Sequence, residues 1–153
     1  SFQQAYAVFF EELETNLKRV DSFFMAQEAQ LESAIQDLCR VPSPTRIIED
    51  GSAPEDRQKD KESAAEEAEK ARCVLDSIEK LRCFAQMNCD GFRKITKKFD
   101  KKVGVGSEWP AGLQGRMLEV VKTYHFADYD QRLNRLIAVV EDWKEGREAV
   151  LPP

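Results

Sequence analysis

Between Phe2 and Leu38 the apolar side chains fall at Phe2, Tyr6, Phe9, Leu13, Leu17, Val20, Phe24, Leu31, Ile35 and Leu38. Steps of three and four dominate, the spacing that gathers side chains on one face of a 3.6-residue helix. No proline or glycine interrupts the run, so it predicts a long amphipathic helix over 1–41, ended by Pro42 and Pro44. Residues 42–58 hold three prolines, Gly51 and several acids around the Ile47-Ile48 pair, which predicts an exposed loop. A second long helix is expected over 59–88, with an apolar line of Ala64, Ala68, Ala71, Leu75, Ile78, Leu81 or Arg82, and Ala85. Its small residues suit close packing against the first helix as an antiparallel pair.

Asn88-Cys89-Asp90-Gly91 predicts a break or kink, with Asp90 placed to cap a short basic helix over 90–103. A loop over 104–116 contains Trp109-Pro110 as an anchoring aromatic. The C-terminal region 117–146 reads as a short segment, Met117 to Val121, and a helix from about Ala127 to Glu145. The face of that helix is Leu133, Leu136, Ile137, Val140 and Trp143. No useful strand alternation and no internal repeat appears. The expected fold is all-α: a long antiparallel two-helix core with a short basic helix and a C-terminal helix packed on it, one domain over 1–153.

Composition fits that expectation. The 153 residues suffice for one modest core, with 42% hydrophobic and 33% charged residues and only seven glycines. No apolar run is long enough to span a bilayer, and the start has no signal-peptide pattern. Cys39, Cys73, Cys83 and Cys89 form no CxxC pair, and His125 is the single histidine, so no zinc ligand spacing is present and no metal is expected. Free thiols at helical positions suit a reducing compartment, and a cytoplasmic location is expected.

Charge changes the picture. The net charge is −5, yet residues 91–102 carry Arg93, Lys94, Lys97, Lys98, Lys101 and Lys102 against Asp100 alone. That is a local balance of +5 on a chain whose remainder carries −10. Each helical residue turns about 100°, so Lys94, Lys97, Lys98 and Lys101 share an arc of roughly 100°. Phe92, Ile95 and Phe99 are expected on the opposite, buried side. Like charges at i, i+3, i+4 and i+7 cost a few tenths of a kcal/mol per pair. A multiply phosphorylated ligand converts that repulsion into charge-assisted hydrogen bonds, and flexible lysine stems can each meet a different oxygen. The plainer reading is a solvated basic face.

The segment Gly91-Phe-Arg-Lys-Ile-Thr-Lys-Lys-Phe-Asp-Lys101 resembles the signature helix of SPX domains, a glycine and a bulky residue followed by K-I-x-K-K-x-D-K. Phe9-Phe10-Glu11-Glu12-Leu13-Glu14 and Leu17-Lys18-Arg19-Val20-Asp21-Ser22-Phe23-Phe24 resemble the family's F-F-x-x-L-E-x-E-L-x-K-V-x-x-F-Y stretch, and the resemblance covers about 5–145. It implies a helical domain that senses inositol polyphosphates and pyrophosphates and reports cellular phosphate status. On it, Lys98 matches the lysine of the central phosphate cluster, and Lys94, Lys97 and Lys101 match the surrounding lysine surface. Asp100 is expected to orient neighbouring lysines, with Arg93 and Lys102 supporting. The implied ligand is inositol hexakisphosphate or an inositol pyrophosphate, with phosphate or sulfate ions able to take the same place; no cofactor is implied. Such domains normally open with a helical hairpin, near M-K-F-G-K, that adds a tyrosine and more lysines to the site. This chain starts at the long helix, so half a site and weak affinity are expected. The stretch Phe99-Asp-Lys-Lys-Val-Gly104 most resembles SPX domains of fungal glycerophosphodiester phosphodiesterases.

His125 lies between Tyr124 and Phe126 without a nucleophile motif and is expected to pack or cap. The acid pairs Glu11-Glu12, Glu66-Glu67 and Glu141-Asp142 read as solvated faces, and Trp109 and Trp143 as anchors. The expected function is therefore a non-enzymatic phosphate-status sensor that regulates a fused or partner protein. The alternative is a helical coiled-coil interaction module without a small-molecule ligand. Nucleic-acid binding is disfavoured by the acidic remainder and the lack of a wider basic stripe, and no membrane insertion is expected.

Overall fold

In the computed structural model the described residues are 2–41, 43, 54–103 and 113–152. They form α1 (Phe2–Cys39), α2 (Pro54–Val103), α3 (Leu113–Lys122), a 3₁₀ turn (His125–Asp128) and α4 (Tyr129–Lys144). The fold class is all-α, with no strand among the described residues. The expected anchor Trp109 and most of the expected 42–58 and 104–116 loops lie outside them. α2 begins at Pro54, before the expected start at 59, because proline's fixed φ suits a first helical turn. α3 likewise begins at Leu113, inside the expected 104–116 loop.

The chain divides into two compact units, the first made of 1–26 and 82–129 and the second of 27–81 and 130–153. In the first unit α1 and α2 run antiparallel. Phe9 stacks on Phe99 at 3.9 Å, and Phe23 meets Phe84 at 4.7 Å, so rising numbers on one helix meet falling numbers on the other. Leu13, Leu17 and Phe24 of α1, Ala85, Phe92 and Thr96 of α2, Met117 and Val121 of α3 and Phe126 are buried in this unit. Phe92 and Phe126 bring their rings to 5.7 Å.

In the second unit Leu31, Ile35 and Leu38 are buried with Ala71, Ile78 and Leu81 and with Leu133, Leu136, Val139, Val140 and Trp143 of α4. The Trp143 indole donates to the Val41 carbonyl at 2.9 Å, as befits a buried indole N–H. α4 ends in a Schellman motif: Gly146 sits at φ 73°, its N–H meets the Trp143 carbonyl, and the Arg147 N–H meets the Asp142 carbonyl.

Four expectations need correcting. The first is the break at 88–91 and the separate basic helix over 90–103, for α2 is one continuous helix through both. Asn88 donates to the Phe84 carbonyl at 2.8 Å, bonding back into the helix instead of ending it. Asp90 pairs with Arg93 at 3.6 Å one turn on, the partner of a helix interior and not a cap. Gly91 costs about 1 kcal/mol in a helix interior, less than burial of Ala85 and Phe92 on either side returns.

The second is Ile95, expected at the back of the lysine helix but 52% exposed. The continuous helix carries the phase of Ile78, Leu81 and Ala85 forward to Phe92 and Thr96, with Phe99 half-buried, and turns Ile95 to the flank. Thr96 fits the core because its hydroxyl bonds the carbonyls of Phe92 and Arg93 at 2.9 and 3.0 Å. The third is the acid pair Glu66-Glu67, of which Glu67 is buried beside Lys70 at 2.9 Å while Glu66 is exposed. The fourth is Ala68, expected on the packed line but exposed.

Candidate functional site: a single-sign lysine face

The phase of α2 decides what its last turns present. Buried positions 85, 92 and 96 and half-buried 99 define one side of the helix in the first unit. Lys94, Lys97, Lys98 and Lys101 are centred roughly 180° away, at about 100° per residue, and all four are exposed. Their Cα atoms span seven residues, about 10 Å at 1.5 Å rise. The structure thus brings together the four lysines singled out in the sequence, on a face turned away from the packed side of α2.

None of these four lysines forms an ion pair among the described residues. Of the supporting residues, Arg93 is held by Asp90, Lys102 is exposed, and Asp100 is half-buried and engaged in an interaction of its own. Two exposed apolar side chains adjoin these lysines on α2: Met87 at 72%, on the same side as Lys94 and two turns before it, and Ile95 on the flank; Phe23 of α1, against Phe84, is exposed as well. Sequence reasoning missed this flank because it assigned Ile95 to the core.

The face has a defined chemistry. Four ammonium groups on flexible stems, free of carboxylate partners among the described residues, offer up to twelve N–H donors to anionic oxygens and no acceptor. That suits clustered phosphates.

Elsewhere the charged groups hold structure. In the first unit the buried Asp21 accepts from the Phe126 N–H at 2.9 Å, and its second oxygen lies 2.9 Å from His125 Nδ1. The carboxylate thereby satisfies the turn that opens at Tyr124 and holds His125, which is exposed and caps no helix; the capping acceptor is Asp21, a correction to the packing or capping role expected of His125. Burial, aided by the carboxylates of Glu14 and Asp21, pushes the Tyr124 phenol above its ordinary range. In the second unit Arg132 grips Glu28 with two bonds, at 2.8 and 2.5 Å. A groove of about 250 Å³ between Gln27, Gln30, Leu31 and Ala34 of α1 and Cys73, Val74 and Ser77 of α2 carries no charged group among its lining residues.

All four cysteines are free thiols, and burial pushes those of Cys39 and Cys89 up. No group of three or more His, Cys, Asp or Glu among the described residues could hold a metal ion, and no described helix is long and apolar enough to cross a membrane.

No family model, no curated protein and no solved structure matches this chain.

Proposed function

We propose that this chain is a phosphate-status sensor domain that binds inositol polyphosphates or pyrophosphates on the face of Lys94, Lys97, Lys98 and Lys101. The observation that carries the proposal is the placement of four exposed lysines, without carboxylate partners among the described residues, directly opposite the packed side of α2. A solvated helix gains nothing from such an arrangement, whereas a cluster of phosphates turns the repulsion into attraction. The resemblance of 91–101 and 9–24 to SPX motifs names the ligand class and supports a regulatory, non-catalytic role beside a fused or partner protein, in the cytoplasm. Phosphate or sulfate ions would occupy the same lysines singly.

Calorimetric titration with inositol hexakisphosphate tests this. The native chain binds the hexakisphosphate far more tightly than inorganic phosphate, and Lys94→Ala/Lys97→Ala/Lys98→Ala loses at least tenfold in affinity while its helical circular dichroism stays unchanged. Equal affinity of native and triple variant would refute the assignment.

A second reading, a helical interaction module, is favoured by one observation, the exposed apolar side chains of Phe23, Met87 and Ile95. It is compatible with the first.

A further inference from the structure

The lysine face lies on the outside of one helix, directly opposite the side that packs. α1 meets α2 at Phe84 and Phe99. A hexakisphosphate carries phosphates around its whole ring, with a total charge of about −9 at roughly −1.5 per phosphate. Four lysines on a span of about 10 Å meet one side of such a ligand and neutralise less than half of it. The side turned away from α2 carries charge that these four lysines leave unmatched.

From this we infer that the bound polyphosphate recruits a second copy of this chain, its lysine face closing over the open side of the ligand to form a ligand-bridged dimer. The inference rests on the proposed lysine-face function. Two considerations support it. Without ligand two such faces repel, four positive charges against four, so association requires the anion between them. With ligand, the second face supplies the charge that the first leaves unmatched, across a ligand about as thick as the screening length of about 8 Å at physiological salt. A two-fold arrangement makes the contact isologous and closed, so association stops at the dimer.

The chain becomes a counter of ligand in this scheme. One polyphosphate per two chains gives the dimer, and excess ligand fills each face separately and dissolves it.

Sedimentation velocity of the full 153-residue chain, titrated with inositol hexakisphosphate alongside calorimetry, is the test. The expected result is a monomer without ligand, a dimer that peaks near half an equivalent, and a return to monomer at tenfold excess. Calorimetry should show a stoichiometry near one ligand per two chains. Tight binding with a monomer at every ratio overturns the bridge but leaves the sensor assignment standing. Absence of any binding overturns both. A dimer that forms equally without ligand, or persists unchanged in excess, also overturns the bridge.

Discussion

α2 manages charge in two opposite ways. Between residues 67 and 80, exposed cations are answered by acids one turn away: Lys70 by Glu67 at 2.9 Å, Arg72 by Glu69 at 2.6 Å, Lys80 by Asp76 at 3.1 Å. Between 94 and 101 four equally exposed lysines stand without such answers. Exposure and helix type are the same, so solubility does not explain the second pattern. The first stretch shows what an ordinary solvated helix face looks like in this protein: mixed signs at i, i+3 and i+4, each pair worth a few tenths of a kcal/mol. The second departs from it in the direction an anionic ligand requires. The lesson is local, because a net charge of −5 conceals it entirely.

If paired charges serve stability and unpaired ones serve binding, substitutions should separate along that line. The largest stability loss should come from the half-buried pair of the second unit. Glu28→Ala leaves Arg132 without its bidentate partner and should cost about 2 kcal/mol in urea unfolding, a figure reduced because Arg132 keeps some access to water. Next is the buried carboxylate of the first unit. Asp21→Ala removes the acceptor of the Phe126 N–H and the partner of His125, and should cost about 1–2 kcal/mol. Neither change should alter polyphosphate affinity by more than twofold if the lysine face is the site.

A smaller effect has the opposite sign. A Cβ at Gly91 meets nothing within 4 Å, and the residue is helical, so Gly91→Ala should stabilise by about 0.5–1 kcal/mol in thermal unfolding. Destabilisation would mean that the lysine helix bends there in solution. The smallest effect sharpens the comparison itself. Lys97→Glu, without ligand, relieves repulsion with Lys94 and Lys101 and should raise stability by a few tenths of a kcal/mol, at low salt only. On the paired stretch, Lys70→Glu should lower it by a similar amount.

The helical periodicity placed both long helices and the lysine arc, because a steady recurrence of apolar residues at steps of three and four is a local property of the chain. The break at Asn88–Gly91 was misread for a physical reason. Local turn formers predict an ending, but burial of Ala85 and Phe92 on either side outweighs about 1 kcal/mol of glycine cost. Ile95 followed from that error, since an independent basic helix could choose its own phase and a continuous one inherits it. The contacts of Asp21 with 125–126 and of Glu28 with Arg132 join residues more than a hundred positions apart, and no spacing rule reaches that far.

The decisive measurement compares equal charge loss in two places. Calorimetry with inositol hexakisphosphate at physiological salt should be run on the native chain, on Lys94→Ala/Lys97→Ala/Lys98→Ala, and on Lys70→Ala/Arg72→Ala/Lys80→Ala. Both triple variants remove three positive charges from α2. The lysine face as a site predicts that the first loses at least tenfold in affinity and the second less than twofold. Equal losses in both would show a diffuse attraction of any polyanion to any cation and would contradict the account.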